Sequence, residues 1–524
     1  MDPQAPSPAA PTGAPDVPVP DVRLLDLMRD DLADYTVDGV RELLGAVAHD
    51  ALAREQPWPA RWVVADAVAK GEPLAPVVQA LLLGRPVARR RLDAALPRLG
   101  VDGAARLGLV RTAGNDPDDE VCPLVDLRPY AAVDGLGTAH WWVASDLSGQ
   151  AVLGPLRSDY VLGVGGASMT LARCAFRRPA RRVLDVGTGG GVQSLHASRH
   201  AGSITATDLS RRALGFARFT LALNRVPADL RRGDLLEPVI GETFDQVVSN
   251  PPFVITPRRA GVPAYAYRDA GLVGDAVVER LVTEVGRVLA PGGTVQLLGN
   301  WEHRRGEPWQ ARVGGWLDRA GLDGWVIQRD VQDPAQYAEL WIRDGGQPDT
   351  TAYAAQYRAW WEDFAARGVE AVGLGLIVLR RPDDGEAPIV RRLEEALGGG
   401  QNPGLGDHLA DCLDAQAWLD RASDDDLLAA SLVAAPDVTD ERYHRPGEED
   451  PEVVLLRQGG GFGRTVQAST ALAAFVGACD GELSAGRIAA ALAVLAEREL
   501  ADVVTDLLPA VRALIADGFL RRGS

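Results

Sequence analysis

The sequence predicts an α/β core with a seven-stranded sheet, preceded by a helical, winged-helix-like module and followed by a second winged-helix-like one. Three observations predict it. Short apolar, β-branched runs alternate with segments of helical periodicity between about residues 150 and 381. One such run, Val183 to Val186, is broken by Gly187, Gly189, Gly190 and Gly191, and Gln193 to His200 follows without Gly or Pro. Strand, tight turn and helix in that order open a βαβ unit, with backbone close enough to a ligand that a Cβ would obstruct it. Finally, 524 residues exceed what one core usually holds, so two to four domains are expected.

Taken in order, residues 1–20 contain seven prolines among small and polar residues and are expected to be a disordered tail. Residues 21–148 form the helical module: apolar positions recur at helical spacing in Leu24 to Met28, Val40 to Val47, Trp62 to Val68 and Val77 to Leu83. Two strand-like segments, Val121 to Tyr130 and His140 to Asp146, close it as a hairpin. Trp141 and Trp142 are more readily packing residues than a platform for a base. Residues 149–381 carry the alternating core. A glycine cluster, Gly163, Gly165 and Gly166, leads into a helix and can bring backbone to a ligand's carboxylate, with Thr170 a weaker candidate. Later strands are expected at Ile204 to Asp208, Phe244 to Ser249, Thr294 to Leu298, Trp325 to Gln328, Glu339 to Ile342 and Glu370 to Arg380. Helices are expected over Val277 to Leu289 and Ala354 to Arg367. Residues 382–452 are acidic and turn-rich, an expected connecting region. Residues 453–524 read as a hairpin followed by three helices.

Composition limits the function classes. Hydrophobic content of 46% and charged content of 24% are ordinary for a globular protein. There is no apolar run of membrane-spanning length and no basic-then-apolar leader, so a cytoplasmic protein without a membrane partner is expected. Cys122, Cys174, Cys412 and Cys479 lie far apart, and His196 and His200 have ligand spacing but no third ligand nearby, so no metal is expected. A net charge of −18 argues against a chain that coats nucleic acid as a whole. The average hides an asymmetry. Residues 157–305 carry 20 Arg against 13 acids, a local +7, and residues 380–524 carry 14 against 26, a local −12. The basic, aromatic loop Ile255 to Arg268, with Arg258, Arg259, Tyr265, Tyr267 and Arg268, is therefore a candidate substrate lip for RNA or protein. The acidic C-terminal module is expected to contact protein or peptide rather than a DNA groove.

The chemistry-bearing residues are spaced along the strand ends. Asp208 ends a strand 23 positions after Asp185, where a carboxylate can take both hydroxyls of a ribose. Asp234 follows a further turn, and Asn250-Pro251-Pro252-Phe253 closes the strand after that. In this order and spacing the motifs resemble those of class I S-adenosylmethionine-dependent methyltransferases, which have a Rossmann-like domain. The Asn-Pro-Pro-Phe resembles the amino-methylating branch, which includes adenine-N6 enzymes, ribosomal RNA guanine-N2 enzymes and release-factor glutamine methyltransferases. Val288 to Asn300 is similar to the guanine-N2 group and Tyr267 to Asp275 to the glutamine group. The resemblance covers about residues 150 to 381. It implies S-adenosyl-L-methionine as cofactor, held by Asp185, Gly187, Gly189, Gly191, Asp208, Leu209, Asp234, Leu235, Asn250 and Gly165. Asp208 would bind the ribose, Asp234 the adenine amino group and Asp185 the methionine end through its neighbours. It further implies catalysis by Asn250, Pro251 and Phe253. The side-chain oxygen of Asn250 and the carbonyl of Pro251 would accept both N–H bonds of the substrate nitrogen, and Phe253 would offer a face to a planar group. The expected substrate is a nucleic-acid base, RNA before DNA; a protein or peptide glutamine, or a small molecule, is the alternative.

Overall fold

The computed structural model describes residues 16–149, 151, 156–259, 262–346, 350–396 and 404–523. The expected tail lies outside the described residues as far as residue 15, but Asp16 to Pro20 lie against the protein. The Val19 N–H donates to the Leu107 carbonyl at 2.9 Å, and Pro18 is buried.

The N-terminal module packs helices Val22–Asp31, Val37–Ala53, Trp58–Lys70, Arg89–Ala95 and Gly100–Arg106 beside a three-stranded sheet of Val87–Ala88, Glu120–Pro123 and Val110–Thr112. Side-chain caps start the first two helices: Asp21 accepts from the Leu24 N–H at 3.0 Å and Thr36 from the Gly39 N–H at 3.0 Å. The hairpin Asp126–Asp134 with Gly137–Ser145 follows. Both of its tryptophans are packing residues. Trp141 stacks on Tyr130, and the Trp142 indole N–H donates to the Tyr35 carbonyl at 2.8 Å. The module's apolar core, with Leu25, Met28, Leu32 and Val64, is continuous with Phe216 and Phe219 of helix Arg211–Leu223 in the next domain.

The central sheet has eight strands, numbered here in chain order: β1 Ala180–Val186, β2 Ala201–Asp208, β3 Asp229–Arg232, β4 Phe244–Ser249, β5 Leu289–Arg304, β6 Asp323–Gln332, β7 Val369–Arg380 and β8 Arg391–Glu395. Their spatial order is β8-β6-β7-β5-β4-β1-β2-β3. Strands β1 to β5 are parallel, β7 runs antiparallel to β5 and β6, and β8 is parallel to β6. The expected count of seven is corrected by β8, whose sequence Arg-Arg-Leu-Glu-Glu lacks an apolar run because it sits at the sheet's edge. A second correction concerns Glu339 to Ile342, expected as a strand. It belongs to helix Pro334–Asp344, which starts with a full capping box at Asp333 and forms a helical hairpin with Thr350–Ala366.

Residues 382–452 do not hang as a separate connector. Helix Leu405–Leu419 buries Leu405, Leu409 and Leu413 against Leu171 and Cys174 of helix Gly166–Cys174. Ser431–Ala434 lies between Asp480–Ser484 and Leu520–Arg522 in one antiparallel sheet. Val438–Tyr443 pairs with Val453–Gln458, so the expected break at residue 453 falls inside a second sheet. Among the described residues no helix is long and apolar enough to cross a membrane.

Candidate functional site

The parallel strands β1 to β4 deliver Asp185, Asp208, Asp234 and Asn250 to one side of the molecule, the carboxyl ends of the strands. A cleft of about 630 Å³ opens there, lined by Tyr160, Leu162, Gly163 and Ser168, by Gly187 to Gly190, by Asp208 to Ala213, and by Asp234, Leu235, Asn250, Pro252 and Tyr267 among others.

The glycine turn follows β1 directly. Gly189 and Gly191 adopt φ of +55° and +88°, where a Cβ is unfavourable, and the N–H groups of Gly187 and Thr188 both donate to the Thr207 carbonyl of β2 at 2.9 and 3.0 Å. This folds the turn across the ends of two strands. Asp208 fastens it: one carboxylate oxygen accepts from the Gly189 N–H at 2.9 Å and the other from the Ser210 N–H at 2.8 Å. Burial pushes the pKa of its carboxyl above the usual carboxylate value. Each oxygen retains acceptor capacity toward the cleft. Leu209 beside it is an exposed apolar side chain, and Leu235 adopts φ of +46° while its carbonyl accepts from the Thr207 hydroxyl at 3.0 Å.

Asp185 lies behind the lining, almost wholly buried. Its Oδ2 accepts from the hydroxyls of Thr188 and Ser194, each at 2.7 Å, and burial pushes its carboxyl from 3.8 to about 6. Thr188 itself lines the cleft, so Asp185 reaches the cleft through that hydroxyl. Asp234 lines the cleft but is paired with Arg280 of helix Ala276–Glu284 at 2.6 Å. Gly165 precedes helix Gly166–Cys174 at its N-cap, and the cleft is lined there by Leu162, Gly163 and Ser168 instead; Thr170 is not among the lining residues.

At the end of β4 the Asn250 side chain faces the cleft with its Oδ1 buried and without a hydrogen-bond partner among the described residues. A buried acceptor left unsatisfied costs on the order of 1–3 kcal/mol, so such an atom is a candidate for a ligand donor. The Pro251 carbonyl accepts from the Phe253 N–H at 2.7 Å and keeps one lone pair. Phe253 differs from expectation. It is half-buried where three apolar clusters meet, and Pro252 lines the cleft in its place. The following segment is held by Tyr337 of the helical hairpin, whose hydroxyl accepts from the Ile255 N–H at 3.1 Å and from Asn300 Nδ2 at 2.6 Å. Sequence spacing could not have signalled Tyr337, which is 87 positions from Asn250. Tyr160 is likewise a lining residue without a motif; its ring meets that of Tyr267 edge-on at 5.8 Å.

The lip is less basic than its sequence. Arg258 pairs with the buried Asp269, Arg259 with Glu362, and Arg268 with Asp344 at 2.6 Å and the Trp341 carbonyl at 2.7 Å. Residues 260 and 261 of the lip lie outside the described residues. The two histidines after the glycine turn have structural partners: His196, in helix Val192–Ala197, meets the Tyr130 hydroxyl at 2.8 Å, and His200, in the turn that follows this helix, meets Gln246 Oε1 at 2.7 Å.

Residues 163–308 match the family model described as the methyltransferase small domain. Residues 32–121 and 410–522 match models of two domains of unknown function. The chain is 40% identical over 124 residues to a release factor glutamine methyltransferase of Deinococcus radiodurans, covering 22% of this chain and 44% of that one. It is 31% identical over 121 residues to a ribosomal RNA small subunit methyltransferase C of Alcanivorax borkumensis (23% and 33%). It is 29% identical over 165 residues to a ribosomal protein uL3 glutamine methyltransferase of Bradyrhizobium diazoefficiens (29% and 51%). The chain thus spans between a third and about half of the length of these relatives. The central mixed sheet is the Rossmann-like sheet of class I methyltransferases.

Proposed function

We propose that the chain is an S-adenosylmethionine-dependent N-methyltransferase that methylates an amino or amide nitrogen of a planar group. One observation carries the reading: the partnerless Oδ1 of Asn250, buried at the cleft end of β4 beside a rigid Pro-Pro. An exocyclic amine or a carboxamide delocalises its lone pair and is a poor nucleophile. Asn250 Oδ1 and the Pro251 carbonyl, accepting its two N–H bonds, turn that lone pair out of the π-system and hold it in line for displacement. Pro251 and Pro252 fix the backbone at both acceptors, so little ordering remains to be done when the substrate arrives.

The residues fit the cofactor. Asp208 offers two oxygens at the glycine turn, the exposed Leu209 and the half-buried Leu235 offer apolar contact, and Thr188 and Gly163 are also lining residues. S-adenosylmethionine, when bound, supplies the sulfonium methyl group. We assign Asp208 to the ribose, Asp234 with Leu209 and Leu235 to the adenine, and Gly187, Gly189 and the Asp185–Thr188 pair to the methionine end; Gly191, expected there too, is not a lining residue and packs toward Ala217 and Leu221, so we assign it to the shape of the turn. Gly165 supports that end through the helix it starts. Phe253 acts here as a packing residue that sets the Asn-Pro-Pro turn.

The substrate we favour is a base in RNA, supported by the arginine excess of residues 157–305 and the similarity to the ribosomal RNA enzyme. A protein glutamine is the second reading, favoured by the neutralised lip arginines and the similarity to the release factor enzyme. We also read residues 21–148 and 453–524 as modules that present or dock the substrate. The winged-helix-like reading of the second is supported by its helices Thr470–Gly477, Ala485–Leu495 and Leu500–Ala516 with the small antiparallel sheet, although that module draws in Ser431–Ala434 from upstream. The test is transfer of label from S-adenosylmethionine into a cell lysate, digested separately with ribonuclease and protease. Label released by ribonuclease alone supports the first reading, label released by protease alone the second, and no transfer refutes both.

A further inference from the structure

Asp16 and Val17 are lining residues of the cofactor cleft, although they come from the other end of the chain. They are held from two sides. The Asp16 carboxylate pairs with Arg212 at 2.8 Å and Arg157 at 3.1 Å. Arg212 is in turn fixed by the buried Asp146, whose carboxylate also accepts from the Val161 N–H at 2.8 Å, next to the lining residues Tyr160 and Leu162. Val17 packs on Gly215 in helix Arg211–Leu223, where a Cβ would stand 2.7 Å from Val17 Cγ2. Glycine inside a helix is unfavourable by about 1 kcal/mol relative to alanine. Its presence here makes room for Val17. Beyond the cleft, the Val19 N–H is bonded to Leu107, so the same short segment is tied to the N-terminal helical module.

We propose that Asp16–Pro20 is a strap forming the outer wall of the cofactor cleft, through which the N-terminal module sets how long an adenosyl ligand stays bound. The inference rests on the cofactor reading above. Ligand leaves when Val17 lifts from Gly215 and Asp16 parts from its two arginines; the lining residues on the strand ends need not move.

The test is stopped-flow displacement of S-adenosylmethionine from the full chain. Gly215→Ala and Val17→Gly are each expected to speed release about tenfold with little change in association, the usual division for altered contacts. Asp16→Asn is expected to speed it about three- to fivefold, as for a partly exposed ion pair. The double variant Val17→Gly/Gly215→Ala should release no faster than Val17→Gly alone, because the new methyl has nothing left to strike. Gly215→Ala should melt no lower than the wild type, which separates strap loss from misfolding. Wild-type release rates in the two single variants, or additive effects in the double, overturn the strap while leaving the cofactor reading intact. A wild-type chain that does not bind S-adenosylmethionine overturns both.

Discussion

Replacing Asn250 with alanine should separate stability from catalysis. Its Oδ1 is buried and has no hydrogen-bond partner among the described residues, which carries a cost on the order of 1–3 kcal/mol. Removing the amide relieves that cost and loses some packing of a half-buried side chain, so the two effects nearly cancel. Folding stability is expected to stay within about 1 kcal/mol of the wild type, or to rise. S-adenosylmethionine affinity, read by calorimetry, should change little if, as proposed, Asn250 acts on the substrate nitrogen. Turnover should fall by about 10²–10³, the loss typical of one acceptor that works in the transition state. Asn250→Asp keeps an acceptor oxygen and should retain partial activity. Melting curves, calorimetry and single-turnover rates on the same preparations make the comparison. If Asn250→Ala lost stability and turnover in proportion, the residue would be a structural turn, and if it turned over at the wild-type rate the N-methyltransferase mechanism would fall.

Three other outcomes are expected. Asp208→Ala should weaken S-adenosylmethionine binding by about 1.5–3 kcal/mol, through loss of the proposed ribose hydrogen bonds and of the carboxylate that fastens the Gly189 turn; unchanged affinity by calorimetry would remove Asp208 from the site. Asp185 is held at about 6 rather than 3.8 by burial, so the folded state binds its proton more tightly than the unfolded state does. The penalty is absent below about pH 4, grows as pH rises and is complete above about pH 6, at roughly 3 kcal/mol. Asp185→Asn should therefore stabilise the fold at pH 7.5 and not at pH 3.5, and urea melts giving equal effects at both would contradict this. Arg258→Ala leaves the buried Asp269 carboxylate without its cation and should cost about 3 kcal/mol of stability, whereas an RNA-contacting arginine would change affinity and its salt dependence with stability intact.

What was legible in the sequence follows from how local each signal is. The strand, glycine turn and acid of β1 and β2 are written in adjacent residues, because positive φ and a fully buried parallel strand each restrict composition locally. The role of the lip was not legible. Its arginines find Asp269, Glu362 and Asp344, and two of those acids lie on or beside a helical hairpin more than 70 positions away. A stretch rich in arginine reads the same whether its partners are phosphates or distant carboxylates. Strand β8 was hidden for the opposite reason: an edge strand needs no apolar alternation, and Glu394 and Arg392 earn their place by a hydrogen bond to the Trp325 indole and an ion pair to Asp517. Asp16 and Val17 were hidden by the proline-rich composition around them.

Strand β8 also determines how the protein can be cut. It covers the outer edge of β6, whose residues Asp323 to Gln328 are buried, and it leads directly into the C-terminal module through Arg392–Asp517 and Glu394–Arg464. A fragment ending at residue 381, where the alternating pattern stops, would present a bare ladder of backbone groups flanked by Trp325, Val326 and Ile327. Such an edge recruits other chains. Expressed alone, the methyltransferase portion is expected to pair edge to edge and precipitate, and a soluble minimal fragment has to extend at least through Ala396.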